Sequence, residues 1–173
     1  MEWLAAELAL EAPRAAVLEI GSRNVNGSAR EAFNMAARYW GVDIAAGPGV
    51  DQVADGAAVV PPFEPDTVVC CEVLEHTPAW REIVRHACEV LAPGGLLLVT
   101  AACDPRAPHS ATDGGRVRVG EYYGNVEPAE LGAVVREAGL AGRVSVFLER
   151  GDVYVVGRKP WSSVALERSE VVS

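Results

Sequence analysis

The sequence predicts an α/β domain built on a doubly wound, mostly parallel sheet, with one antiparallel strand supplied by a C-terminal hairpin. Three observations predict it. Apolar runs of strand length alternate with segments of helical periodicity. The first run, Val17-Leu18-Glu19-Ile20, ends in Gly21 and a small, polar loop, and the second, Tyr39-Trp40-Gly41-Val42, ends in Asp43. The last two runs are separated by little more than Glu149-Arg150-Gly151, a link so short that the two strands must be antiparallel.

The elements follow in order. Leu4 and Leu8 share one face of a short helix over about 2–11. Strand 1 spans about 15–20, a helix follows over about 27–38, and strand 2 covers about 39–44. Residues 45–51 are too rich in glycine and proline for a full crossover helix, so strand 3 is short, Gln52-Val53-Ala54, and ends at Asp55-Gly56. Asp66 to Cys71 form a buried fourth strand. In the next helix Thr77 is placed to cap and Pro78 to occupy the first position. Trp80, Ile83, Val84, Ala87, Cys88 and Leu91 recur there at helical spacing, and Pro93-Gly94-Gly95 stops it. Leu96-Leu97-Leu98-Val99-Thr100 is apolar throughout, as a central parallel strand is. A long polar loop over about 102–125 precedes a helix started by Pro128 and closed by Gly139. Residues 144–148 and 152–157 make the closing hairpin. The predicted division is a single domain over 1–159 and a loosely held tail over 160–173.

Composition narrows the class. With 173 residues, half of them apolar and 23% charged, the chain suits one soluble domain with one core. No apolar stretch is long enough for a membrane span, and acidic Met1-Glu2-Trp3 is no basic leader. The expectation is a cytoplasmic protein with no membrane partner. A net charge of −9 makes a nucleic-acid partner unlikely. The four cysteines form no C-x-x-C pair, so free thiols in a reducing compartment are expected and no metal site is read from them.

The first loop carries the chemistry. Glycine lets a ligand approach the backbone, and a carboxylate at the tip of strand 2, roughly 20 positions on, takes ribose hydroxyls. A dinucleotide site needs G-x-G-x-x-G, but Arg23 and Asn26 stand at its second and third glycine positions. Glu19, two residues before Gly21, suits a ligand with an ammonium group better than one with a pyrophosphate. That favours S-adenosylmethionine over NAD, and an ordinary strand–turn–helix junction is the bland alternative.

Four blocks carry a family resemblance: Leu18 to Gly27; Gly41 to Ile44 with Gly47 to Asp55; Asp66 to His76; and Leu91 to Thr100. In this order the chain resembles the class I S-adenosylmethionine-dependent methyltransferases, in the type 11 group. The resemblance covers about 14–158 and implies a Rossmann-like fold and a methyl transfer. It implies that Glu19 and Gly21 border the methionine end of the cofactor, with Ser22 and Asn26 in the same loop. Asp43, beside Ile44, would accept from both ribose hydroxyls. Asp55 would accept from the adenine amino group, with Gly56 next to it. Glu72, Val73 and Leu74 would line the cofactor from strand 4. The family's denser glycine loop is interrupted here by Ser22 to Asn26.

The substrate side is read from position. His76, His109 and Tyr122 follow strands 4 and 5, where open α/β sheets bind ligands. His76 is the first candidate for a general base, because free imidazole titrates near neutrality; a pocket-shaping role is the alternative. Arg106, Arg116 and Arg118 make the loop locally basic, through solvation or for an anionic substrate. The predicted substrate is a small or medium-sized molecule. A non-catalytic cofactor-binding module that supports a partner protein is the second reading.

Overall fold

The computed structural model describes residues 15–147 and 150–161. The helix expected over 2–11, and the tail from 162 onward, lie outside the described residues.

Seven strands form one sheet: β1 (Ala16–Ile20), β2 (Arg38–Asp43), β3 (Gln52–Val53), β4 (Thr67–Cys71), β5 (Leu96–Ala102), β6 (Ala141–Phe147) and β7 (Asp152–Arg158). Their spatial order is β3-β2-β1-β4-β5-β7-β6. β1 to β5 pair in parallel, and β7 runs antiparallel to both β5 and β6. The chain starts at the centre, steps out to β3, then returns to β4 on the other side of β1. The strand order therefore reverses between β1 and β4, which opens a crevice at their carboxyl ends. The register aims the loops at it: Ile20 lies opposite both Val42 and Cys70. Gly21, Asp43 and Glu72 consequently leave the sheet at one edge.

Alternation along the strands divides the core. Leu18, Ile20, Leu97 and Val99 face one layer, with α1 (Trp80–Val90) and α2 (Pro128–Glu137) packed on it through Ile83, Val84, Leu131 and Val134. Val17, Leu96 and Leu98 face the other, against Ala29 and Phe33. Every residue of β5 is buried, as its apolar run predicts.

Three expectations are corrected. The helix over 27–38 is only a 3-10 turn, Ala29–Phe33, capped by the Ser28 hydroxyl accepting from the Arg30 N–H. Gly27 at φ +136° delays the start, and β2 already begins at Arg38, so there is no room for more turns. Thr77 does not cap α1. Its hydroxyl accepts from the Ala79 N–H at 3.1 Å, in a turn that precedes the helix. β5 runs two residues further than expected, because Ala101 and Ala102 pair with Val153 and Asp152. No helix among the described residues is long and apolar enough to cross a membrane.

Candidate active site

A cleft of about 1210 Å³ opens at the carboxyl ends of β1 to β5. That exceeds the upper end of the roughly 300–1,000 Å³ common for small-molecule sites, so it has room for two ligands. The structure brings almost every expected residue to it. Gly21, Ser22 and Asn26 come from the loop after β1, Asp43 from the tip of β2 and Ile44 from just after it, and Asp55 and Gly56 from the segment after β3. Glu72, Val73 and His76 come from the segment after β4, and His109 and Tyr122 from the loop after β5. Leu74 is the exception: it is fully buried in the core and does not reach the cleft. The chain turns through a 3-10 helix at Leu74–His76, which points Leu74 inward.

Gly21 is required where it stands. Its φ is +81°, and a Cβ there would meet Val73 Cγ2 at 2.0 Å. The N–H groups of Gly21 and Ser22 both donate to the Val42 carbonyl, at 2.8 and 3.0 Å, which tightens the loop over β2. Ser22 is buried, and its hydroxyl has no hydrogen-bond partner among the described residues. Below the loop, Glu19 is buried and accepts the Tyr39 hydroxyl at 2.7 Å. Burial pushes the Glu19 carboxyl above its ordinary value, and the Tyr39 bond pulls it part of the way back. Arg30 lies over the Tyr39 ring, 4.5 Å from its centre.

Asp43 is half-buried at the tip of β2. One carboxylate oxygen accepts the Arg23 N–H at 3.2 Å and the other the Ala45 N–H at 2.9 Å. Each oxygen keeps acceptor capacity for a ligand. Ile44 beside it is 78% exposed, an apolar surface with nothing of the protein to cover it. Asp55 is exposed and accepts the Ala57 N–H at 2.8 Å. Gly56 is explained by packing: a Cβ there would lie 2.5 Å from Ile20 Cγ2.

Across the cleft, Glu72 holds φ +56°, a conformation rare outside glycine. Its carboxylate accepts the Thr100 hydroxyl at 2.9 Å and pairs with Arg106 at 3.5 Å. Arg106 also pairs with Asp152, and Arg118 with Asp113. Much of the loop's positive charge is thus neutralised locally, while Arg116 lines the cleft.

Sequence reasoning missed one residue here. Glu75 is fully buried, and neither carboxylate oxygen has a hydrogen-bond partner among the described residues. Its Oε1 lies 4.0 Å from His76 Nε2 and 3.9 Å from His109 Nε2. The two imidazoles meet edge to face at 4.9 Å, and Tyr123 packs on both, at 5.6 and 5.0 Å. Burial, with the charge of Glu72, pushes Glu75 up to about 8. Burial, then His109, pushes His76 down to about 4. His76 is therefore neutral near pH 7 and titrates far below a free imidazole. The available signal was an acid directly before His76, in a stretch otherwise apolar enough for the core.

Residues 2–143 match the methyltransferase domain family. Among curated proteins, the chain is similar to the ubiquinone biosynthesis O-methyltransferase of Xanthomonas euvesicatoria pv. vesicatoria (strain 85-10), 36% identical over 97 residues, covering 51% of this chain and 41% of that protein. It is 31% identical over 96 residues to the same-named protein of Stutzerimonas stutzeri (strain A1501), again covering 51% and 41%. The match spans well under half the length of these relatives. Among solved structures, it resembles the SAM-bound amino pentose methyltransferase CalS10 of Micromonospora echinaspora, with a TM-score of 0.65, 19% identity and 90% of each chain covered. It also resembles DhpI in complex with SAH, with a TM-score of 0.63, 23% identity and coverage of 92% and 84%. The chain belongs to the methyltransferase domain family, with the class I S-adenosylmethionine-dependent architecture that its sequence blocks resemble.

Proposed function

We propose that this chain transfers a methyl group from S-adenosylmethionine to a hydroxyl of a small or medium-sized acceptor. The observation that carries the reading is the division of one cleft. Gly21, Ser22 and Asp43 line the side fed by β1 and β2; His76, His109 and Tyr122 line the side fed by β4 and β5.

The residues fit this cofactor. The orphaned Ser22 hydroxyl and the acidic Glu19 face the loop that would hold its amino-acid end. Asp43 would take the ribose hydroxyls with its spare acceptor sites. Ile44 offers an apolar face to adenine, and Asp55 an acceptor at its edge. Glu72, held in place by Thr100 and Arg106, and Val73 close the pocket opposite Gly21. When bound, S-adenosylmethionine supplies a methyl group already activated on a sulfonium centre. What the chain adds is alignment, which in favourable cases supplies about 7–11 kcal/mol of a barrier.

On the acceptor side, His76, His109 and Tyr122 would orient the substrate. An oxygen acceptor is supported by the similarity to proteins named O-methyltransferases. Arg116 in the cleft supports an acceptor bearing an anionic group. The four free cysteines support a reducing, cytoplasmic setting.

Calorimetry with S-adenosylhomocysteine and with NAD tests the cofactor, followed by a screen of small hydroxylated acceptors. S-adenosylhomocysteine should bind and NAD should not. Absence of S-adenosylhomocysteine binding at millimolar concentration would overturn the reading. Binding without turnover of any acceptor, with a co-purifying protein, would turn it into a cofactor-binding module.

A further inference from the structure

We propose that Glu75, His76 and His109 form a zinc-binding centre at the floor of the cleft, open towards the acceptor. The ligand atoms of the three side chains all lie within 4.8 Å of one another. The separations from Glu75 Oε1, 4.0 and 3.9 Å, are too long for hydrogen bonds. They suit a shared ion. The three groups would have to draw together by some tenths of an ångström to reach zinc bonds of about 2.0–2.2 Å.

A second observation is independent of the clustering. Buried carboxylates normally collect donors, yet Glu75 is wholly shielded from solvent and neither oxygen makes a well-formed hydrogen bond, its nearest donors being the main-chain N–H groups of Glu75 and Ala102. A cation between it and the imidazoles supplies what is missing. His109 is also turned for the purpose. Its Nδ1 lies 3.3 Å from the Ala107 carbonyl, and donation there leaves the Nε2 lone pair facing Glu75. Metal-bound histidines are generally oriented by such a bond from the other ring nitrogen. Tyr123, packed against both rings, restricts their rotation.

The donor set selects the ion. Two imidazoles and one carboxylate suit zinc and its first-row neighbours, whereas magnesium and calcium prefer oxygen throughout. Three protein ligands leave a position open, the arrangement of catalytic rather than structural zinc. That position faces the cleft, because His76 and His109 line it while Glu75 lies beneath.

The use of the site rests on the methyl-transfer reading; its existence does not. An acceptor hydroxyl in the open position would lose its proton to water more readily, because the ion favours the oxyanion. An oxygen lone pair then forms the bond to the methyl carbon as the carbon–sulfur bond breaks. The electron pair of that bond returns to sulfur, leaving S-adenosylhomocysteine.

The test is titration of chelator-treated protein with Co²⁺, read by its visible d–d absorption, then by displacement with Zn²⁺. Wild type should bind one Co²⁺ with the intense band of a low-coordinate site. His109→Ala, a change in a loop, and Glu75→Gln should each weaken binding about tenfold or more, with S-adenosylhomocysteine affinity within about twofold of wild type. No d–d band in the wild type, or equal Co²⁺ affinity in folded His109→Ala, would overturn the proposal. If Glu75→Gln fails to fold, His109→Ala still decides. Co²⁺ binding without S-adenosylhomocysteine binding would uphold the metal site and reject the methyl-transfer reading.

Discussion

The Asp43 carboxylate accepts the main-chain N–H of Arg23 at 3.2 Å, so the tip of β2 is tied directly to the loop that follows β1. The same carboxylate also accepts the Ala45 N–H. Asp43 therefore shapes the loop and faces the cleft at once. Asp43→Ala should weaken S-adenosylhomocysteine binding by tenfold or more, since hydrogen bonds to a charged group contribute about 1.5–3 kcal/mol each. It should also lower stability, because the same carboxylate holds two loop N–H groups. Calorimetry and urea unfolding measure the two effects separately. Unchanged affinity in a folded variant would show that the ribose is held elsewhere.

Gly21 and Val73 are coupled through space. A side chain at 21 meets both an unfavourable φ and the Val73 methyl at 2.0 Å. Gly21→Ala should destabilise by about 2–5 kcal/mol, combining left-handed backbone strain of about 1–2 kcal/mol with overpacking of about 1–3 kcal/mol. Val73→Ala added to it should recover the overpacking and leave the strain. A double-mutant cycle by chemical denaturation that showed simple additivity would refute the contact.

Glu19 gives a pH dependence whose sign can be derived. Burial raises its carboxyl in the folded state, so the fold keeps the proton over a range where the unfolded chain has lost it. This contribution favours the fold below the ordinary carboxyl value and is lost as pH rises through the raised one. Glu19→Gln removes the loss. The difference in Tm, variant minus wild type, should therefore grow as the pH rises above the ordinary carboxyl value. A difference independent of pH would mean that Glu19 titrates normally.

The cysteines should be inert in the folded protein. Burial pushes the Cys71 thiol up to about 12 and Cys88 up to about 11, and raises Cys70 and Cys103 as well. Thiolate is the reactive species, so iodoacetamide near pH 8 should label none of the four rapidly. Denaturant should expose all four together, as mass spectrometry would record. Fast labelling of Cys71, which is half-buried and lines the cleft, would show that its thiol is not held up.

Much of the fold was legible in the sequence because the type of each element follows local rules. The apolar run Leu96 to Val99 is buried on both faces, as a central strand of an α/β sheet is. The short link after Phe147 admits only an antiparallel return. Gly21 and Asp43 were legible for the same reason, since a turn with positive φ and an acid at a strand tip are each set within a few residues. What local pattern could not supply was length and direction where neighbours compete. The helix expected over 27–38 shrank to Ala29–Phe33 because β2 claims Arg38, and Leu74, expected at the cofactor, turned into the core.

The cluster of Glu75, His76 and His109 belongs to tertiary structure alone. His76 follows β4 and His109 follows β5, and they meet only because those strands are neighbours in the sheet. The low basicity of His76 and the raised carboxyl of Glu75 come from what covers them, not from the residues beside them in the chain. The sequence by itself determined which groups stand at the ends of which strands. Only the folded chain decided which of them share a buried space, and removal from solvent is what sets the charge, proton affinity and ligand preference of a buried group.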